Sequence, residues 1–463
     1  SSQVASRKKS IRGRRMIGLP EEFKNRIKTQ FPNEEGLFIS ALDQSSTAGI
    51  LINQKKLSQP EGLPVGWNPY GKILLDRPKF TSDPHYHAGA YYAQEINSMF
   101  IHELIRYAIP SSQPITALDL CAAPGGKSLL LNSTIHHESI CISNEITPSR
   151  LAILRENLGK WGALNQLSIG ENPRNIPFNE QFNLILVDAP CSGEGLFRKH
   201  PSFREEWCAS HALTCSMRQK EILLEAIRLL KPNGFLIYST CTYAPEENEQ
   251  ILDWLVSEQK LSNLKIPIDP AWQIHLTNSY GGVGYQFLPH KTPGEGFFCA
   301  LFQKQEETHR PTNSKNKKQL SLPLNAHQKK EVFNWAQNSV EFRIDSNGRV
   351  FTFPFQHGFH SIFEQAYPSA NIGVQIGHFI RDQFIPHQYL VNTQLFNNNV
   401  PKINLSYNEA HAFLRGESLE AKECKGYWIA SYENQGLGWL KSVGNRSNNN
   451  YPKPWLVKQH YSI

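Results

Sequence analysis

The strongest constraint on this sequence is a series of short apolar runs separated by stretches with helical character. The runs are ITALDL, SICISNE, NQLSI, FNLILVDA and GFLIYSTC, and all of them lie between residues 115 and 241. Strands that alternate with helices form βαβ units, in which helices cover both faces of a mostly parallel sheet. The sequence therefore predicts an α/β fold for this part of the chain.

The remaining sequence predicts further domains around this core, because 463 residues exceed what one compact core usually holds. An amphipathic helical pattern opens the N-terminal part. A polar stretch, QKQEETHRPTNSKNKKQ, is typical of a linker. The end of the chain is rich in Gly, Tyr, Trp and Asn, which favours a small β-rich module. We place the N-terminal domain at 1–107, the α/β core at 108–304, the linker at 305–325, a middle domain without strong periodicity at 326–398, and the β-rich module at 399–463.

Composition narrows the class of protein. Forty per cent hydrophobic residues are typical of globular chains. No apolar run is long enough to span a bilayer, and no apolar segment follows the basic N-terminus. The eight cysteines include no C-x-x-C pair, which argues against a zinc site and a disulfide framework. We therefore expect a cytoplasmic, monomeric protein with no metal and no membrane partner.

Positive charge is clustered although the net charge is only +7. One cluster lies within residues 7–15 and the other within residues 315–330. Such clusters suit a phosphate backbone, but basic runs are about as often solvated tails. Charge alone leaves RNA binding and a simple solvated surface equally open.

The motif ALDLCAAPGGKS predicts a cofactor site. Its small residues would let a ligand approach the backbone at the start of a helix. The ending GKS also occurs in the phosphate-binding P-loop, but that loop needs glycine at the position of Cys121. Glu145 follows the next strand, about twenty residues on, where a carboxylate can accept hydrogen bonds from ribose hydroxyls. We favour this interpretation over a helix cap.

Two cysteines end two predicted strands, Cys191 in LILVDAPCSGEG and Cys241 in FLIYSTCTYAPEENE. Each lies in a turn of Pro, Ser, Thr or Gly, which indicates an exposed thiol able to ionise. Asp188 precedes Cys191 at the same strand end, where open α/β sheets bind ligands. The other six cysteines are interpreted as core packing.

The four stretches DLCAAPGGKS, DAPCSGEG, YSTCTYAPEENE and FLPHKTPGEGFFCALF, with GAYYAQE upstream, resemble the NOL1/NOP2/Sun family of RNA cytosine-5 methyltransferases. MIGLPEEF, NEAHAFLRGE and GLGWLKSVGNRSNNNYPK are similar to the branch that acts on bacterial small-subunit ribosomal RNA. The resemblance spans almost the whole chain. It implies a Rossmann-like core that depends on S-adenosylmethionine, an N-terminal α/β extension and a C-terminal PUA-like RNA-binding module.

The resemblance also implies roles for single residues. Cys241 would be the nucleophile, Cys191 would assist release, and Asp188 would contact the base. Asn172 stands where the family usually has an Asp that contacts adenosine. The implied cofactor-binding residues are Cys121, Ala122, Ala123, Pro124, Gly125, Gly126, Lys127, Glu145, Asn172 and Asp188.

This reaction has a chemical reason for a cysteine. A thiolate that adds to carbon 6 of cytosine breaks the aromaticity and makes carbon 5 nucleophilic. Asp188, if protonated, could hydrogen-bond the ring at N3. Chemistry alone would let Cys191 be the nucleophile, as the cysteine of the Pro-Cys motif is in DNA cytosine methyltransferases.

We expect the chain from residue 326 onward to bind RNA. Basic and aromatic residues alternate near its end, at Lys441, Arg446, Tyr451, Lys453 and Trp455. The alternative is a β-rich module that packs its own aromatic rings. The same chemistry on tRNA, a P-loop-like NTPase and a non-catalytic RNA-binding protein remain as alternative functions.

Overall fold

The structure is a computed structural model that describes residues 17–56, 61–305, 320–353, 357–368, 370–420 and 425–458. The basic cluster at 7–15, most of the predicted linker with the basic residues up to 318, and Cys424 lie outside the described residues. The described ranges contain four sheets, of four, nine, five and four strands in chain order. Within these ranges, no helix combines the length and the apolar character needed to cross a membrane.

The N-terminal part combines helices with a small sheet of order β2-β3-β1-β4. The amphipathic pattern forms two helices rather than one, because the chain turns after Phe31. The elements are α1 (Glu21–Gln30), α2 (Glu35–Leu42), β1 (Ala48–Ile52), β2 (Leu63–Val65), β3 (Asn68–Leu74), α3 (Pro84–His87), β4 (Tyr91–Ala93) and α4 (Ile101–Ala108).

Five strands of the nine-stranded sheet, β5 to β9, form from the apolar runs noted in the sequence, which confirms the predicted α/β core. Its main path has the order β7-β6-β5-β8-β9-β13-β12-β11, and β10 pairs with β13. Its strands are β5 (Thr116–Asp119), β6 (Ile140–Asn144), β7 (Gln166–Ile169), β8 (Phe182–Asp188), β9 (Leu230–Thr240), β10 (Ser262–Leu264), β11 (His275–Ser279), β12 (Gly282–Phe287) and β13 (Phe297–Gln303). Its helices are α5 (Gly126–Thr134), α6 (Pro148–Trp161), α7 (Phe203–Glu206), α8 (Ala209–Leu229) and α9 (Glu249–Ser257).

Strands β5 to β9 run parallel, and their carboxyl ends meet at one edge. The register pairs Asp119 with Leu186 and Asp188 with Ser239. The chain order reverses at β5, which has β6 on one side and β8 on the other. A crevice at such a reversal is the usual ligand site of an open α/β sheet.

The region from 326 to 398, which has no clear sequence period, contains most of an antiparallel sheet. The five-stranded sheet has the order β14-β15-β16-β17-β18. Its elements are β14 (Leu322–Pro323), α10 (Ala326–Phe333), β15 (Glu341–Ile344), β16 (Arg349–Phe353), α11 (His357–Ala366), β17 (Gln375–Ile380), β18 (Gln383–Pro386) and α12 (Gln388–Asn392). The chain ends in a β-rich module of β19 (Lys402–Asn404), α13 (Tyr407–Leu414), β20 (Gly426–Tyr432), β21 (Gln435–Ser442) and β22 (Ser447–Asn449).

The parts share apolar cores instead of touching only at polar surfaces. Phe359 and Phe363 of α11 lie in the core on one face of the large sheet, beside Phe178 and Phe182. At the C-terminal side, a Cβ on Gly159 in α6 would lie 2.2 Å from the ring of Tyr389. The middle and C-terminal parts therefore pack on the α/β core through these side chains.

Lys56, between the N-terminal sheet and the core, provides a test of this packing. Its side chain is buried, and its amine donates to the backbone oxygens of Ala88 at 2.8 Å and Lys160 at 2.7 Å. Burial, and then the charge of Lys55, lower the pKa of Lys56 to about 7. Two hydrogens on a neutral amine suffice for both bonds.

We expect Lys56 to make the stability of the protein depend on pH. Between about pH 7 and pH 10.5 the unfolded chain holds a proton that the folded protein has lost, so the free energy of unfolding rises with pH. Urea unfolding from pH 7 to pH 9.5 should show this slope, at most about 1.4 kcal/mol per pH unit, and Lys56→Met should lose it. Lys28→Met, at an exposed lysine of α1, is the control and should keep the wild-type slope. Identical slopes in all three proteins would contradict the assignment.

Candidate active site

A cleft of about 740 Å³ opens at the carboxyl ends of the parallel strands, with α8 along one wall. Its volume is that of a pocket for a medium-sized organic ligand. The cleft gathers the site residues that the sequence predicted on separate strands. Those that line it are Cys121, Ala123, Glu145, Asn172, Asp188, Cys191 and Cys241.

The structure gives a different explanation for the two glycines of the turn after β5 from the one that we predicted. Gly125 has φ +120°, a conformation that side chains rarely adopt. A Cβ on Gly126 would lie 2.2 Å from Oε1 of Gln94 and 2.9 Å from the ring of Tyr92. The glycines therefore allow the turn to form and the N-terminal part to pack behind it, whereas we expected them to make room for a ligand.

The rest of the turn is held by helix α6. Arg150 donates to the backbone oxygen of Ala123 at 2.7 Å, and Asn157 donates to that of Pro124 at 2.8 Å. Ala122 is buried behind the cleft wall. Burial, followed by the charge of Asp119, raises the pKa of Cys121, which agrees with our view of this thiol as unreactive.

The acidic residue after β6 holds the chain before helix α6 and also lines the cleft. One oxygen of Glu145 accepts the backbone N–H of Thr147 at 2.9 Å, just before α6 begins. The other lies 3.5 Å from Arg150. Glu145 nevertheless lines the cleft, next to the half-exposed side chain of Ile146. The Asn172 side chain accepts the N–H of Arg174 at 3.1 Å on the same wall.

Asp188 is held from both sides at the end of β8. Lys127 donates to its Oδ2 at 2.8 Å, and Ser239 of β9 donates to its Oδ1 at 2.8 Å. Burial lowers the pKa of Lys127, but the charge and hydrogen bond of Asp188 outweigh it and the net pKa is raised. Lys127 is therefore a cation that faces the site, which the glycine motif alone did not indicate.

The two cysteine sulfurs lie 3.1 Å apart in the cleft. The backbone N–H of Cys241 also points at the Cys191 sulfur, at 3.3 Å. The hydrogen bond to Cys241, and then burial, raise the pKa of Cys191 well above its usual range. The raised pKa keeps the Cys191 thiol protonated near neutral pH, which corrects the expectation that Cys191 ionises readily.

Sequence reasoning missed Glu247, which links the turns that carry the two cysteines. This buried carboxylate accepts from the backbone N–H of Ser192 at 2.9 Å, from the Ser192 hydroxyl, and from Gln219 of α8 at 2.9 Å. Ser192 is also 2.8 Å from the hydroxyl of Thr242. Ser192 and Thr242, which directly follow the two cysteines, thus belong to the same hydrogen-bond network. The acidic residues at the end of the motif YSTCTYAPEENE were the signal in the sequence that could have indicated this network.

Helices α1 and α2 brace the same turns from behind. Arg26 lies 2.5 Å from Glu194, which also accepts from the indole of Trp207 at 2.7 Å. The rings of Phe38 and Tyr243 pack with centroids 4.8 Å apart. The N-terminal part therefore supports the cysteine turns directly.

The C-terminal candidates divide into two groups. Lys441, Arg446 and Lys453 are exposed. Tyr451 and Trp455 are buried in the core of the module, where Tyr451 packs on Phe413. The expectation that these two rings stack on RNA bases is therefore wrong, and packing within the module accounts for them.

Comparison with known families matches three parts of the chain. Residues 109–303 match the family described as 16S rRNA methyltransferase RsmB/F. Residues 19–96 match the N-terminal domain of 16S rRNA methyltransferase RsmF, and residues 400–457 match the methyltransferase RsmF PUA domain. The predicted PUA-like module is thereby confirmed.

Similar proteins include ribosomal RNA small subunit methyltransferase F of Vibrio atlanticus, 25% identical over 94% of this chain and 97% of that protein. The protein of that name from Pectobacterium atrosepticum is 30% identical over 62% of this chain and 63% of its own. Among solved structures, PH0851 (TM-score 0.55, 24% identity, 62% of this chain and 66% of that chain) and NSun6 from Pyrococcus horikoshii with SFG (TM-score 0.53, 19% identity, 63% of this chain and all of that chain) share the fold. The Rossmann-like methyltransferase fold is confirmed.

The Glu247 network yields a stability prediction. Glu247→Ala leaves the donors of Ser192 and Gln219 without their acceptor, at about 1–3 kcal/mol for each buried group that stays unsatisfied. Chemical unfolding should show this loss. Glu246→Ala, at the half-buried neighbouring carboxylate, is the matched control. It should lower the free energy of unfolding by less than half as much as Glu247→Ala. Equal losses in the two variants would count against a special role for Glu247.

Proposed function

The chain belongs to the family of 16S rRNA methyltransferases RsmB/F, and on this basis we propose that it methylates carbon 5 of a cytosine in small-subunit ribosomal RNA through a covalent adduct with Cys241. The observation that carries the proposal is the pair of sulfurs 3.1 Å apart, at the ends of neighbouring strands in the cleft. Neither a simple RNA-binding protein nor an NTPase needs such a pair of thiols.

The cleft wall fits S-adenosylmethionine. The Glu145 carboxylate lines the cleft and has acceptor capacity for ribose hydroxyls. The half-exposed Ile146 offers an apolar surface to a purine, and the Asn172 amide lies on the same wall. When bound, this cofactor supplies the methyl group. The turn from Cys121 to Lys127 and the Glu145 wall would hold it.

The hydrogen-bonded thiols support Cys241 as the nucleophile. Because Cys191 keeps its proton near neutral pH, it can donate a hydrogen bond to the Cys241 sulfur. A thiolate at Cys241 adds to carbon 6 of cytosine and makes carbon 5 nucleophilic. Cys191 passes its own proton to water and, as a thiolate, takes the proton from the methylated carbon 5. The electron pair of that C–H bond re-forms the double bond between carbons 5 and 6, and the bond from carbon 6 to Cys241 breaks so that Cys241 leaves as a thiolate.

Lys127 and Asp188 would orient the base. Both Asp188 oxygens accept hydrogen bonds within the protein, and each has acceptor capacity left for the cytosine amino group. Lys127 places a positive charge beside the ring as negative charge develops on it. Since a duplex hides its bases, the target must be unpaired or extruded.

The cofactor assignment predicts selective binding. Calorimetry should detect S-adenosylmethionine and no ATP. Glu145→Gln should weaken S-adenosylmethionine binding about 10-fold, because a charge-assisted hydrogen bond becomes a neutral one. Glu258→Gln, at an exposed position, serves as the control and should bind like wild type. Binding of ATP without S-adenosylmethionine would point to an NTPase instead.

The assignment of the two cysteines predicts different defects. Cys241→Ala should neither methylate RNA nor form a covalent complex. Cys191→Ala should attack, transfer the methyl group and then stall, so that protein and RNA remain linked through Cys241. Denaturing electrophoresis of the protein with unmodified 16S rRNA detects this species. A covalent band with Cys241→Ala and none with Cys191→Ala would exchange the two roles.

A further inference from the structure

The mouth of the cleft carries a surface that the chemistry above does not use. It consists of Arg77, Lys199, His200 and Phe203, which we call the cleft lip. Arg77 follows strand β3 in the N-terminal part, and the other three precede or begin helix α7. All four side chains are exposed. The lip therefore joins two parts of the chain beside the active site.

Phe203 is an aromatic platform at this position. Its side chain is 38% exposed, although it lines the same cleft as Cys191 and Cys241. A Cβ on Gly193, two residues after Cys191, would lie 3.8 Å from the ring, so the ring approaches the cysteine turn. The ring of His200 lies beside it, with centroids 5.3 Å apart and planes inclined by 33°.

The charge of the lip is positive. Lys199 precedes His200 in the chain, and the guanidinium of Arg77 lies 5.9 Å from the ring centroid of Phe80. Burial, and then the charges of Lys199 and Arg77, lower the pKa of His200, so its ring is neutral near pH 7. The lip thus combines two rings that can stack with two cations available to an anion.

We propose that the cleft lip binds the unpaired RNA strand next to the target cytosine. A neighbouring base would stack on Phe203, and phosphates would bind Arg77 and Lys199. Aromatic rings interleaved with cations are the combination that binds single-stranded nucleic acid. An acidic peptide would bind the two cations but would make no stacking contact with the rings. The inference rests on the proposed function, because it assumes that the cleft receives a base from RNA.

The stacking step is tested by replacing Phe203 in the full chain. Phe203→Ala should weaken binding of a single-stranded oligoribonucleotide about 5- to 100-fold, the range for loss of one stacked base, and Phe203→Trp should restore it. S-adenosylmethionine affinity should stay within twofold of wild type. Tyr280→Ala removes a fully exposed aromatic ring at the β11–β12 turn and is the matched control, expected to bind RNA normally.

The charge step is tested by salt dependence. Each of Arg77→Gln and Lys199→Gln should reduce the slope of log K against log salt by about 0.7, as expected for one phosphate on a single strand. Unchanged RNA affinity in Phe203→Ala, or an equal loss of cofactor affinity, would overturn the proposal, as would unchanged slopes in both Gln variants. Binding is measured without turnover, so this result is separate from the proposed function, which fails if wild type forms no 5-methylcytosine.

Discussion

The parallel pairing of β5, β8 and β9 is the constraint on which the site depends. Parallel strands end at the same edge of a sheet, so residues far apart in sequence meet without any contact between their own segments. Asp188 and Ser239 are directly paired in this register and share a hydrogen bond. The cysteines follow within three residues of these strand ends. A shift of one residue would turn one set of side chains toward the opposite face.

The site is also braced from outside the sheet. Helix α1 reaches Glu194 through Arg26, and Gln30 donates to the backbone oxygen of Tyr243 at 3.0 Å. Tyr92 and Gln94 pack against the glycine turn. The N-terminal part thus contacts the turns after β5, β8 and β9. An enzyme that needs sulfur and base atoms held to within fractions of an ångström benefits from such outer support.

Sequence reasoning found the strands and the cleft residues because both depend on local signals. Apolar runs with small or polar residues at their ends predict strands of a parallel sheet and the residues at their carboxyl ends. The network around Glu247 escaped because its partners, Ser192 and Gln219, are 55 and 28 residues away in the chain. The burial of Tyr451 and Trp455 escaped for a related reason. The sequence of a β-rich module does not indicate whether an aromatic ring faces a neighbouring side chain or the solvent, because this depends on how the module packs.

The bracing by α1 and α2 has a consequence for synthesis of the chain. These helices leave the ribosome before the core, yet Phe23 and Phe38 find their partners in Phe197 and Tyr243. At ordinary translation rates, on the order of ten seconds or more pass before those partners emerge. During that time the nascent chain carries apolar helix faces without a core. The segment that steadies the finished active site therefore waits, with its apolar faces uncovered, for the core that it will support.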